Sequence, residues 1–322
     1  MRGMKSLLAF AGRNGPLLLF FGVLIGLVVP PLAAAAKPWM GASVFVFTLG
    51  SFLKVDGASL RAELRRPARA AGVLGWTLFG VPLLAWIFCQ VLGFPPQMTL
   101  AIVLCMLGPP VGSAAAMAAM LDLNAALALV ATVVVSLLAP VYMPPLAALL
   151  GGSIAHIDAA GMLLRILVVI GAAAAVAFVL RRCAGSFVAQ NPSAMTGVSV
   201  VGLLTVAIGA MDGMPHHVLG HGWLAAQLMA LAFAVNAAFQ AIGALLFRRL
   251  GAVDALTVGL VSGNRNVTLV WVAVAPWLVD LPLVGAYLAA SVFPIFMLPL
   301  LTRPLIAFCA APTRYADPGV TS

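Results

Sequence analysis

The sequence predicts an all-α polytopic membrane protein: ten transmembrane helices forming two inverted five-helix repeats, with the fourth helix of each repeat broken. Three observations predict it. The 322 residues are 64% hydrophobic and 8% charged, with mean hydropathy +1.15, whereas soluble domains carry roughly 25% charged residues. Apolar stretches near the ~20 residues needed to span a bilayer recur along the chain. Basic residues cluster on alternate sides of those stretches.

Ten stretches qualify, at roughly 15–35, 38–53, 69–92, 97–120, 124–151, 160–180, 194–211, 222–247, 254–278 and 283–309. Lys37-Pro38, Pro95-Pro96, Asn191-Pro192, Pro215, Gly251 and Pro282 separate them. Residues 1–322 therefore read as one transmembrane domain without room for a soluble one, with a first repeat at 15–152, a second at 159–310 and a tail at 311–322. The first stretch imitates a signal peptide, since Arg2 and Lys5 precede an apolar run ending at Ala33–Ala36. In a polytopic chain it reads as a retained span.

Fourteen of the 17 basic residues fall on one side of this layout. They lie before span one, after spans two, six and eight, and at the end. Lys37 lies in a loop on the other side, and Arg165 and Arg265 lie within spans. The positive-inside rule places both termini in the cytoplasm, in a plasma or bacterial inner membrane. The net charge of +9 thus reports cytoplasmic loops and lipid contact, with no nucleic acid as partner. Cys89, Cys105, Cys183 and Cys309 are scattered, without metal-ligand spacing. His217 and His221, four apart beside His216, are a weak metal pair with few further ligands nearby, so no metal is assigned.

Five spans per half is an odd number, so the second half is inverted relative to the first. Span four carries Gly108-Pro109-Pro110-Val111-Gly112-Ser113. Span nine, its counterpart, carries Ser262-Gly263-Asn264-Arg265-Asn266. Proline removes a helix hydrogen bond and glycine loosens the backbone. Backbone freed at membrane depth must line a cavity or be buried in protein. Paired breaks at corresponding places mark the binding sites of secondary transporters.

At these residues the chain resembles the bile acid:sodium symporter family. The pieces are Thr48-Leu49-Gly50 ending span two, the Arg66-Pro67 boundary, Pro82 in span three, the span-four break, a Leu137-Leu138-Ala139-Pro140 exit from span five, and Gly263-x-x-Asn266. The resemblance implies that broken helices four and nine cross at the substrate site. It also implies a core of spans 3–5 and 8–10 moving against a panel of spans 1, 2, 6 and 7. Small anions are held near the position of Asn266 in that family.

The sodium ligands of that family are mostly missing here, so the resemblance is to a divergent member. Ala114 and Ala115 stand where a Ser-Asn pair belongs, Ala128 replaces a serine, Thr77 a glutamine and Val261 a glutamate, while Arg265 stands at a second glutamine. Thr132 alone is retained, so Thr132 and Thr77 are weak ion-site candidates. The eight acidic residues all fall outside the span interiors. That leaves neither a carboxylate to balance a desolvated sodium ion nor a buried proton relay. The sequence calls for no cofactor, and sodium as a coupling ion is in doubt.

Arg265 is the central candidate. A charge at the bilayer centre costs at least ~2.5–3.5 kcal/mol, and a guanidinium grips a carboxylate through two parallel hydrogen bonds. With Asn264, Asn266, Gly263, Ser262, Gly112 and Ser113, it would bind a small organic anion at the midplane, aided by half-helix N-termini. Two other readings stand beside it. Arg265 ties carbonyls exposed by the broken fourth helix, or it replaces sodium as a built-in cation. Asn236 and Gln240 share one face of span eight and either line the cavity or bond a neighbouring helix.

The function expected is alternating-access transport of a small organic anion. Sodium-coupled bile acid or organic anion symport, and an anion channel or sensor, are the alternatives. Enzymatic function is disfavoured: the chain has no HExxH, no clustered Asp and no Ser–Lys pair at depth.

Overall fold

The computed structural model describes residues 2–54, 61–62, 65–151, 158–212, 222–278 and 280–310. His216, His217 and His221 lie outside them, as does the 311–322 tail. Among the described residues the regular elements are helices, joined by one isolated antiparallel β-bridge between Pro110 and Arg265.

The chain opens with α1 (Arg2–Arg13) and α2 (Gly15–Val28). Next come α3 (Pro30–Ala36), a 3-10 turn (Lys37–Trp39) and α4 (Met40–Leu53), which together make one apolar span of 24 residues. The expected boundary at Lys37-Pro38 is thus corrected to Val29. A residue before proline is pushed out of the helical region, and Val29 sits at φ −119°, ψ 76°. Pro30 and Pro31 then take first-turn positions that need no N–H. Pro38 does the same in the 3-10 turn, so the helix passes through it.

A π-helical turn (Trp76–Gly80) joins α5 (Pro67–Gly75) to α6 (Val81–Val91). The span after it is split into α7 (Pro96–Leu107) and α8 (Ala114–Met120). Then α9 (Ala125–Leu150) runs unbroken through Pro140, Pro144 and Pro145, so Pro140 is no exit. α10 (Ala159–Gln190) extends well past the expected end near 180 and carries Arg181 and Arg182 within the helix, with a kink at Ala184. α11 (Pro192–Gly209) and α12 (Gly222–Leu246) follow. The second split span is α13 (Ala252–Gly263) and α14 (Val267–Val274). Finally come α15 (Pro282–Ala290), α16 (Val292–Leu301) and α17 (Arg303–Ala310).

Among the described residues seven helices are long and apolar enough to cross a membrane, or eight if the bent α1–α2 pair is one span. The pieces at Pro96–Leu107, Ala252–Gly263 and Val267–Trp277 are apolar but individually too short. The chain is a multi-pass integral membrane protein.

The helices pack in two groups. In the first, here termed the panel, α1 to α4 pack on α11, and α10 packs on α4. In the second, the core, α6 lies on α7, α8 on α9, α13 on α12, and α15 on both α7 and α12. The groups touch where α14 meets α4 and α10, where α9 meets α10, and where α16 meets α2. Arg165 of α10 reaches across, with its guanidinium 5.2 Å from the Trp277 ring centre.

One polar joint ties the core at the end bearing Arg248. Arg69 Nη1 lies 2.7 Å from Asp254 Oδ2, and the two side chains are 10% and 17% exposed. Asn124 donates to Asp254 Oδ1 (2.8 Å) and caps α9 by accepting from the Leu127 N–H. Removing one partner of a buried pair strands the other charge, at about 3–5 kcal/mol. Asp254→Ala is therefore expected to lower the thermal midpoint of the purified protein sharply. The exposed Lys37–Asp212 pair, at 56% and 26%, belongs to the class worth about 1 kcal/mol or less. Lys37→Ala should barely move that midpoint, and equal effects would contradict the assignment.

Candidate functional site

The two breaks meet. The Val111 N–H donates to the Asn264 carbonyl (2.9 Å) and the Asn266 N–H to the Pro109 carbonyl (2.6 Å). This short antiparallel pairing satisfies backbone groups that the prolines and the interrupted helices leave without helical partners. Tyr142 serves the same end by donating from its hydroxyl to the Leu107 carbonyl, at 2.9 Å, in the last turn of α7.

Asn266 begins α14 by accepting from the Leu269 N–H (3.1 Å) and from the Thr268 hydroxyl (2.6 Å), an N-cap of the usual kind. Asn264 Oδ1 accepts from Asn236 Nδ2 at 3.1 Å, and Asn236 Oδ1 from Gln240 Nε2 at 2.7 Å. Asn236 and Gln240 thus bond the neighbouring broken helix in a relay from α12. Gly263 ends α13 in close contact with α12. A Cβ there would strike the Asn236 carbonyl oxygen and lie 2.6 Å from Gln240 Cγ, so any side chain at this position must push α12 aside.

Arg265 is completely buried. Its guanidinium donates to the Thr77 carbonyl (2.9 Å) and to the Val261 carbonyl (3.3 Å). Its Nε–H has no partner. Among the described residues no carboxylate pairs with it. Both carbonyls belong to the core: Thr77 lies in the π-helical turn and Val261 in α13. The side chain is thereby tied to the core, and Arg265 also lines the gap that faces Leu203, Val206 and Ala207 of α11. A 10 Å³ gap beside it is lined by Cys105, Asn236, Tyr287 and Ser291 among others.

The remaining predicted residues divide between two places. Thr77 joins the cluster through its carbonyl, while its hydroxyl donates to the Val73 carbonyl at 2.6 Å. Thr132 donates to the Ala128 carbonyl at 2.7 Å, within its own helix. Ser262 is turned to Trp76, accepting from the indole Nε1 at 2.9 Å. Gly112 and Ser113 lie on the panel side. A Cβ on Gly112 would lie 2.6 Å from Phe47 Cζ and would also strike Ser51 Oγ, so this break presses directly on α4. Sequence reasoning missed Trp76, Tyr142 and Ser51. Tyr142, two residues past Pro140 in an apolar helix, was the most visible of them.

The panel–core boundary is open at one end and closed at the other. At the Lys37 end a crevice of about 480 Å³ is lined by Met40 and Asp212 of the panel and by Trp271, Leu278 and Ala286 of the core. At the Lys54 end only about 30 Å³ remains. Between them the crossover residues Val111, Asn266 and Thr268 face Leu203 and Ala207 of α11 across a 10 Å³ gap.

Residues 42–216 match the Sodium Bile acid symporter family. The chain belongs to that family. No curated protein matches it. As a sodium bile acid symporter family member it is a transporter, and the crossover is where two interrupted helices meet inside the buried protein.

Proposed function

We propose that this family member is a secondary carrier of a small organic anion, working by alternating access between core and panel without a sodium requirement. The observation that carries the reading is the buried Arg265 guanidinium, held by two core carbonyls and matched by no carboxylate among the described residues. A buried charge of this kind calls for a counter-charge. An anion at the panel face of the crossover, beside Asn266, Gly112 and Ser113, supplies one. Carbonyl oxygens are also ligands that a hard cation would seek. Here Arg265 occupies the Thr77 and Val261 carbonyls and repels any second cation nearby. It thus serves as a tethered cation that draws the anion electrostatically from behind the crossover.

Ten spans in two inverted repeats belong to the same reading, with the split helices at 96–120 and 252–277 as spans four and nine. So do cytoplasmic termini in a plasma or bacterial inner membrane, supported by the basic residues of 54–69 and 248–249. The crevice at the Lys37 end then opens outward. The purified protein in proteoliposomes, given a panel of labelled carboxylates and sulfonates, should show saturable uptake and counterflow of at least one of them. Flux that neither saturates nor shows counterflow would indicate a channel and overturn the reading.

A further inference from the structure

Helix α1 has three sides of different character. It carries Arg2, Lys5 and Arg13 and no acidic residue. In helical register Arg2, Ser6, Ala9 and Arg13 fall on one side, with Lys5 at its border. A second side lies against the panel at the closed end. A Cβ on Gly12 would strike the Ser193 carbonyl oxygen, and a Cβ on Gly197 of α11 would strike the Leu8 carbonyl oxygen. The two helices thus touch through their backbones, and Gly12 also lines the gap at the Lys54 end. The third side is bare. Leu7 is 70% exposed and Phe10 52%, and a Cβ on Gly3 would meet no atom within 4 Å.

The direction of α1 decides what covers that side. The axis turns by 87° between Ser6–Gly12 and Leu17–Val28, and α2 presents Leu17, Leu24 and Val28 outward, as a lipid-facing helix does. A helix at right angles to such a neighbour lies in the plane of the membrane surface. A basic side there meets headgroups, while Leu and Phe sink into the acyl boundary. Two copies of the chain meeting through this side would bring like charges together. We propose that α1 is a docking helix for anionic phospholipid. Arg2, Lys5 and Arg13 draw the headgroup phosphates, Leu7 and Phe10 enter the acyl boundary, and the contact with α11 anchors the panel to that leaflet. The docking goes beyond the carrier reading and does not depend on it.

Hydrogen–deuterium exchange of the full chain in nanodiscs of phosphatidylglycerol or of phosphatidylcholine tests it. The α1 amides should exchange about tenfold or more slowly in phosphatidylglycerol, while those of α12 and α13 in the core exchange alike in both lipids. A basic residue at an anionic surface contributes about fivefold. Arg13→Gln should therefore reduce the difference severalfold, and the combination of Arg2→Gln, Lys5→Gln and Arg13→Gln should abolish it. The wild-type difference should also shrink as sodium chloride rises from about 50 to about 500 mM, a comparison that needs no variant. Equal α1 exchange in the two lipids, or a difference that neither salt nor the substitutions reduce, would overturn the proposal. Slow α1 exchange confined to nanodiscs holding two copies, whatever the lipid charge, would assign the bare side to a second copy and overturn it as well.

Discussion

Arg265→Ala is expected to cut the rate of anion uptake about tenfold or more, since a unit charge acting on the anion without direct contact, in a medium of intermediate dielectric, is worth about 1–2 kcal/mol. Its effect on stability should be much smaller. The substitution removes two hydrogen bonds and strands the carbonyls of Thr77 and Val261. It also removes a desolvated charge whose burial itself costs several kcal/mol. These terms oppose each other, so Arg265→Met, which fills the volume without the charge, should unfold near the wild-type temperature. Arg265→Lys should not restore full uptake, because a single ammonium at the end of a flexible stem cannot reproduce the planar fork that serves both carbonyls. Uptake and thermal unfolding of the three variants check this. Unfolding of Arg265→Met far below wild type would make the residue structural, and near-normal uptake by Arg265→Ala would remove it from the transport step.

Gly263→Val is expected to abolish recovery of folded protein. The Cβ would meet the backbone of α12 at Asn236 as well as the Gln240 side chain. A backbone carbonyl cannot swing aside as the end of a long side chain can. Overpacking typically costs about 1–3 kcal/mol, and here it would also break the Gln240–Asn236–Asn264 relay that positions the crossover. Gly263→Ala should give a folded but less stable protein. Size-exclusion profiles and thermal midpoints in detergent measure both. A Gly263→Val variant with wild-type stability would show that α12 and α13 are free to separate.

The parts of the site legible in the sequence are those written in side chains. Gly108-Pro109-Pro110 and Gly263-Asn264-Arg265 interrupt apolar helices, and each interruption is visible within a few residues. Their meeting through Val111–Asn264 and Pro109–Asn266 is made by backbone groups some 150 residues apart in the chain, which side-chain patterns do not encode. The same holds for Arg265: its charge is plain in the sequence, but its partners are main-chain carbonyls, one supplied by a π-helical turn that Trp76–Gly80 does not announce. The second-span boundary was misplaced because Lys37-Pro38 looks like a stronger breaker than Pro30-Pro31. Proline in a first turn costs little, so both sites are tolerated, and the pre-proline geometry of Val29 decides where the helix ends.

The central claim is that the tethered guanidinium stands in for a coupling ion. Counterflow of the transported anion in proteoliposomes prepared with sodium-free buffers, then repeated with sodium on both sides, tests it most directly. The account predicts saturable counterflow in the absence of sodium, unchanged in rate when sodium is added. Counterflow that appears only with sodium would contradict it.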